Sequence, residues 1–138
     1  MLLLCGEQMA VLTRKDLQQI ATARLRDAKA LLKTRRFDGG VYLCGYAVEI
    51  ALKARICRTI GWESWPEKGE YRTFLTHNLD VLLNLSGRET RVKYSFAVQW
   101  SIVAQWNPES RYSPAGKATE TALVEMIAAT EDLLKVLK

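Results

Sequence analysis

One histidine, three cysteines, three prolines and no apolar run of membrane length: what this 138-residue chain lacks already excludes most catalytic and architectural classes. A zinc site drawn from one histidine and the irregularly spaced Cys5, Cys44 and Cys57 would need an unusual ligand set, so no metal and no cofactor is expected. An odd number of cysteines does not close a disulfide framework, and Cys44 and Cys57, set in an apolar stretch, read as buried reduced thiols. No glycine-rich phosphate loop follows a strand and no serine stands at a nucleophile elbow. The opening MLLLCGEQMAVLT has no basic segment ahead of its apolar residues and is too short for export or a span, which predicts a cytoplasmic protein without membrane attachment. Met9 is an alternative start. Residues 1–12 therefore read as an N-terminal extension and 13–138 as one helical domain.

What is present is ordinary globular material, 49% hydrophobic and 25% charged, in a chain long enough to bury about two thirds of its unfolded surface. The net charge of +5 leans toward an anionic partner such as nucleic acid. At the centre stands 38–57, DGGVYLCGYAVEIALKARIC, where beyond Gly40 only Glu49 and Lys53 carry charge before Arg55. A helix with no wet face is the central element of a bundle, a surface shared with a second copy, or both. Glu49 and Lys53 stand four apart with the acid first, the favourable order for a pair along one helix.

Around this centre the period predicts an all-α architecture of five helices, four of them substantial. Thr13 and Asp16 cap a first helix whose apolar residues Leu17, Ile20, Ala21, Leu25, Ala28, Leu31 and Leu32 recur at helical spacing. Its other positions hold Arg24, Arg26, Lys33, Arg35 and Arg36, a basic outer face expected to supply most of any nucleic-acid affinity. Phe37-Asp38-Gly39-Gly40 reads as the turn into the central helix. A long loop, 59–76, is expected to be pinned by Trp62, Trp65 and Phe74, and Thr76 to cap a short helix ending at Ser86-Gly87. One helix is expected over 88–106, stopped by Asn107-Pro108, and a last one over 118–137.

Two constellations carry chemical content. Arg72 and His77 could act as phosphate clamp and neutral base toward a ribose 2′-hydroxyl; the plainer reading is that His77 helps to begin its helix and Arg72 lies in solvent. Arg111-Tyr112 could grip a phosphate while the ring stacks on a base, or could pin its loop to the bundle with Glu49 as the partner of Arg111. An unpaired buried carboxylate is too costly to persist, so Glu49 is expected to be buried and paired, with Lys53, Arg111 or Tyr112 beside it.

The stretch RRFDGGVYLCGYAVEIALKARIC closely resembles the signature of HEPN domains, small prokaryotic helical domains found with minimal nucleotidyltransferases and in toxin–antitoxin and defence systems. THNLDVLLNLSG resembles that family's third helix and WNPESRY a loop of some members, so that the likeness covers 21–112; its most specific part is Ala47-Val48-Glu49 with Leu52-Lys53-Ala54. The resemblance implies an up-and-down four- or five-helix bundle that dimerises, with the groove between subunits as the working site and a nucleotidyltransferase as a partner. In family members that cleave RNA, an arginine followed after four to six residues by histidine lies on the helix corresponding to 88–106. Here that segment has Arg88 and Arg91 but no histidine, while Arg72 and His77 satisfy the spacing from another place. The sequence thus supports a noncatalytic HEPN-like module binding nucleic acid or nucleotide. A metal-independent endoribonuclease using Arg72 and His77 and a purely structural protein-binding subunit are the alternatives.

Overall fold

The computed structural model describes residues 12–66, 76–109 and 114–138. These form six helices: α1 Arg14–Lys33, α2 Phe37–Ile60, α3 Leu79–Ser86, α4 Glu89–Ser95, α5 Ala97–Val103 and α6 Glu120–Val136. Among the described residues there is no strand, only an isolated bridge between Thr13 and Ser64.

α1 begins with a reciprocal cap. The Asp16 amide donates to Thr13 Oγ1 at 3.0 Å and the Thr13 amide donates to Asp16 Oδ2 at 3.0 Å, satisfying two amides that a helix start otherwise leaves free. The face carrying Leu17, Ala21, Leu25 and Ala28 is buried against α2. α1 ends in a Schellman turn: the Arg36 amide donates to the Leu31 carbonyl at 2.8 Å and the Arg35 amide to that of Leu32 at 3.1 Å. The residue that must turn left-handed there is Arg35, at φ 60°, where glycine is the usual occupant.

This turn corrects the expectation that Phe37-Asp38-Gly39-Gly40 separates the two helices, because those residues form the first turn of α2. Their chemistry has other uses. Asp38 accepts from the Gly116 amide at 2.5 Å and the Ala118 amide at 2.7 Å, fastening the approach to α6, and those donors hold its carboxyl below the ordinary range. A Cβ on Gly40 would stand 2.5 Å from Leu123 Cδ2, so this glycine permits close packing of α6.

α2 is the hub, packed on α1, α3 and α6. Cys44, Ala47, Val48, Leu52 and Ile56 are fully enclosed; Cys44 and Cys57 are free and buried, as expected of them, and burial pushes the Cys44 thiol up to about 12 and raises that of Cys57. Gly61, at φ 85°, ends the helix. The chain then turns back: the Trp65 amide donates to the Leu12 carbonyl at 2.9 Å, and Trp62 and Trp65 pack on Leu17, Ala54 and Cys57. Phe74, the third expected anchor, lies outside the described residues.

The cap of α3 is Asn78, whose side chain accepts from the Val81 amide at 3.2 Å. Thr76, expected in that role, instead accepts from the Asn78 amide at 3.0 Å. The single helix expected over 88–106 is two, divided at Phe96 (φ −130°, ψ 35°), with no proline or glycine to mark the break. α5 packs on α6 and buries Trp100 and Val103. Thr119 caps α6 at Ala122, and Leu123, Met126, Ile127, Thr130 and Leu133 close the core.

Candidate functional site

Glu49 lies one turn before Lys53 on α2, and its position in the middle of an apolar helix leaves its side chain 1% exposed. Lys53 Nζ donates to Glu49 Oε2 at 3.0 Å. The second partner comes from far along the chain: His77, the residue before the α3 cap, places Nδ1 2.9 Å from the same oxygen. A carboxylate oxygen accepts, so Nδ1 is the donor in this pair and Nε2 is the ring nitrogen that Glu49 does not engage. The three side chains form a gradient, from 1% exposed at Glu49 through 16% at Lys53 to 53% at His77, so that the imidazole sits where a buried carboxylate meets solvent. Lys53 Nζ also stands 5.4 Å over the Trp65 ring, an arrangement that steadies the ammonium through the ring quadrupole. The other carboxylate oxygen, Glu49 Oε1, is buried without a hydrogen-bond partner among the described residues.

Sequence reasoning brought Glu49 to Lys53 but missed its bond to His77. No local pattern could have supplied it, since the two are 28 residues apart and meet only because α3 packs on α2. Arg72, Arg111 and Tyr112, the other members of the two constellations, lie outside the described residues. Among the described residues no group of three His, Cys, Asp or Glu side chains is placed to hold a metal ion.

Of the five cations expected on the outer face of the first helix only Arg24, Arg26 and Lys33 lie on α1, Arg35 and Arg36 falling in the turn after it, and the five separate into two kinds. Arg24 is paired with Asp27 at 2.9 Å and Arg35 with Glu120 at 3.4 Å. Arg26, Lys33 and Arg36 are exposed and form no ion pair among the described residues. Arg26 and Lys33 are two turns apart, about 10 Å along the helix. Past the end of α1 an open cleft of about 450 Å³ is lined by Leu31, Arg35, Arg36, Phe37 and the carboxylate of Asp38, which is engaged by the Gly116 and Ala118 amides, with the Arg35 guanidinium 5.2 Å over the Phe37 ring. That volume lies within the range of small-ligand sites, and the lining offers both an aromatic face and cations.

The fold defines the class, a helical bundle wrapped around an apolar hub. The family model of the HEPN domain matches residues 15–138, and the chain belongs to the HEPN domain family. No curated protein and no solved structure matches it. No helix among the described residues is long and apolar enough to cross a membrane.

Proposed function

We propose that the chain is a noncatalytic HEPN module that binds nucleic acid or a nucleotide through the solvent stripe of α1 and the cleft at its end. The observation that carries this reading is the set of exposed cations Arg26, Lys33 and Arg36, none neutralised by a carboxylate among the described residues, the last of them lining the Arg35–Phe37 cleft. Unpaired surface cations contribute little to folding and bind phosphates through counterion release. The test is fluorescence anisotropy of a labelled single-stranded RNA across a salt series. Each phosphate contact contributes about −0.7 to the slope of log K against log salt, so neutralising all three cations should flatten the slope by about 2. An unchanged slope overturns the assignment of this surface, and absence of binding to both RNA and nucleotides favours the structural protein-binding subunit.

A second reading has its own support. A half-exposed histidine with Nδ1 held by a buried carboxylate is arranged as a general base, which favours a metal-independent endoribonuclease with His77 as base and Arg72 as phosphate clamp. RNA cleavage in chelator by the wild type, lost in His77→Ala, would establish it.

The proposal includes a nucleotidyltransferase partner and a homodimer, the latter tested by light scattering over a dilution series. The apolar surface of α2 does not by itself demand a second copy, since Tyr42 and Tyr46 pack on Trp106 at 5.9 and 5.8 Å between ring centroids. The large apolar side chains most exposed among the described residues are Tyr94 and Val98, on α4 and α5.

A further inference from the structure

A second cleft, of about 490 Å³, opens between α2, α5 and α6 and shares no lining residue with the one past α1. Val41, Ile102, Trp106 and Met126 give it apolar walls. Met126 and Trp106 are themselves buried, and the indole is held in place by Gly45, Tyr42 and Tyr46. Although the chain carries a net charge of +5, no cation is among the described lining residues, and Tyr94 to Asn107, which include all of α5, hold no charged residue at all. Ser101 donates its hydroxyl proton to the Val98 carbonyl at 2.7 Å. The one charge on the lining is Glu125. Every other carboxylate of α6 has a partner: Glu120 pairs with Arg35 at 3.4 Å, Glu131 pairs with Lys29 at 2.6 Å, and Asp132 accepts from Gln99 at 3.1 Å. Glu125 has none among the described residues.

We infer that this cleft binds a small organic cation, a primary ammonium carried on an apolar body, with Glu125 as its counter-ion. The two halves of such a molecule are matched separately. The body displaces water from Val41, Ile102, Trp106 and Met126, in a volume within the range of small-ligand sites. The ammonium has three donors and no acceptor, which suits a carboxylate that only accepts. An anion is repelled by Glu125 and meets no cation on the described lining, so the phosphates expected along α1 have no place here. A hydrated inorganic cation gains nothing from apolar walls and loses water to enter them. The plainer account makes Glu125 a solvated surface carboxylate above a seam between helices. In that case the charge of a ligand would not matter, and this is what separates the two. The site takes no part in nucleic-acid binding by α1, and either can exist without the other.

The test is titration of the intact, isotope-labelled protein, followed by NMR, with three probes of nearly one shape: phenylethylammonium, phenylethanol and phenylpropionate. They share a ring on a short chain and differ in charge. Glu125 is exposed, so its pair with the ammonium should make that probe bind about two- to fivefold more tightly than the alcohol, with phenylpropionate weakest. The perturbed resonances should centre on the amides of Ile102 and Ala122 and on the Trp106 indole N–H, which is buried without an acceptor among the described residues. Glu125→Gln should leave phenylethanol binding unchanged and abolish the preference for the ammonium. Ala122→Leu, at an exposed helical position on the lining, should narrow the cleft and weaken both probes alike. Equal affinity for the three probes overturns the site, as does a preference that survives Glu125→Gln or perturbation centred elsewhere on the protein. Cleft resonances that move when the protein alone is diluted would assign this surface to a second copy of the chain and would equally overturn it.

Discussion

Gly45 and Gly39 both lie on α2, yet alanine at the two positions should act with opposite sign. In either place alanine removes backbone freedom from the unfolded chain, worth about 0.5–1 kcal/mol in a helix interior and less in the first turn, where Gly39 stands. At Gly39 the new Cβ would meet only Leu31 Cδ1, at 3.3 Å. At Gly45 it would fall inside the Trp106 ring, 2.1 Å from Cγ and 2.2 Å from Cδ1 and Cδ2, where carbon atoms normally keep about 3.5–4.0 Å. The indole is 7% exposed and hemmed in by Tyr42 and Tyr46, so it has little room to yield. Overpacking costs about 1–3 kcal/mol, and full expulsion of the ring approaches the roughly 3–5 kcal/mol of deleting a large core aromatic. After the helical gain is subtracted, Gly45→Ala should destabilise by about 1–4 kcal/mol, while Gly39→Ala should be neutral or stabilising by a few tenths of a kcal/mol. Urea unfolding followed by tryptophan fluorescence measures both. Trp106→Ala should abolish the penalty of Gly45→Ala in a double-mutant cycle. A Gly45→Ala midpoint equal to or above the wild type refutes the notch.

Arg35→Gly should stabilise by about 1 kcal/mol, because it removes left-handed strain at the Schellman turn and loses only an exposed ion pair and one ring contact; thermal unfolding reads the sign. Glu49→Gln should cost about 1–3 kcal/mol in chemical denaturation and release the tautomer of His77, visible as a change in the imidazole nitrogen resonances. The hydrogen bonds to Asp38 depress its folded pKa, so they contribute stability that is present above the unfolded value near 3.8 and lost as pH falls through the folded one. Acid unfolding of Asp38→Asn should accordingly be flatter below about pH 4 than that of the wild type.

The hub was legible because an uninterrupted apolar helix has few places to go, and the burial of Glu49 with Lys53 followed from the cost of leaving a carboxylate alone in it. The first cap was legible because it is local: Thr13 and Asp16 satisfy each other within one turn. The turn after α1 was misplaced because glycine ordinarily marks a left-handed residue, whereas Arg35 takes that conformation and Gly40 is used for close packing against Leu123. The break at Phe96 leaves Val92, Phe96, Trp100 and Val103 at helical spacing, so no periodicity argument could detect it. The union of Glu49 with His77 is a product of tertiary packing, to which sequence spacing is blind.

That the hub comes second in the chain has a consequence for synthesis. When α2 leaves the ribosome, α1 is already there to cover one flank, but α6, which covers another, begins at Glu120, sixty residues beyond Ile60. At about 5–20 residues per second the wait is roughly 3–12 s, during which apolar surface that the finished fold encloses faces water and other nascent chains. Trp62 and Trp65 arrive within five residues of the end of the helix and shield its last turns first. The order of covering therefore runs backward along α2, from Cys57 toward Gly40, and the stretch by Gly40 and Cys44 is the part of the newborn chain that most needs a chaperone.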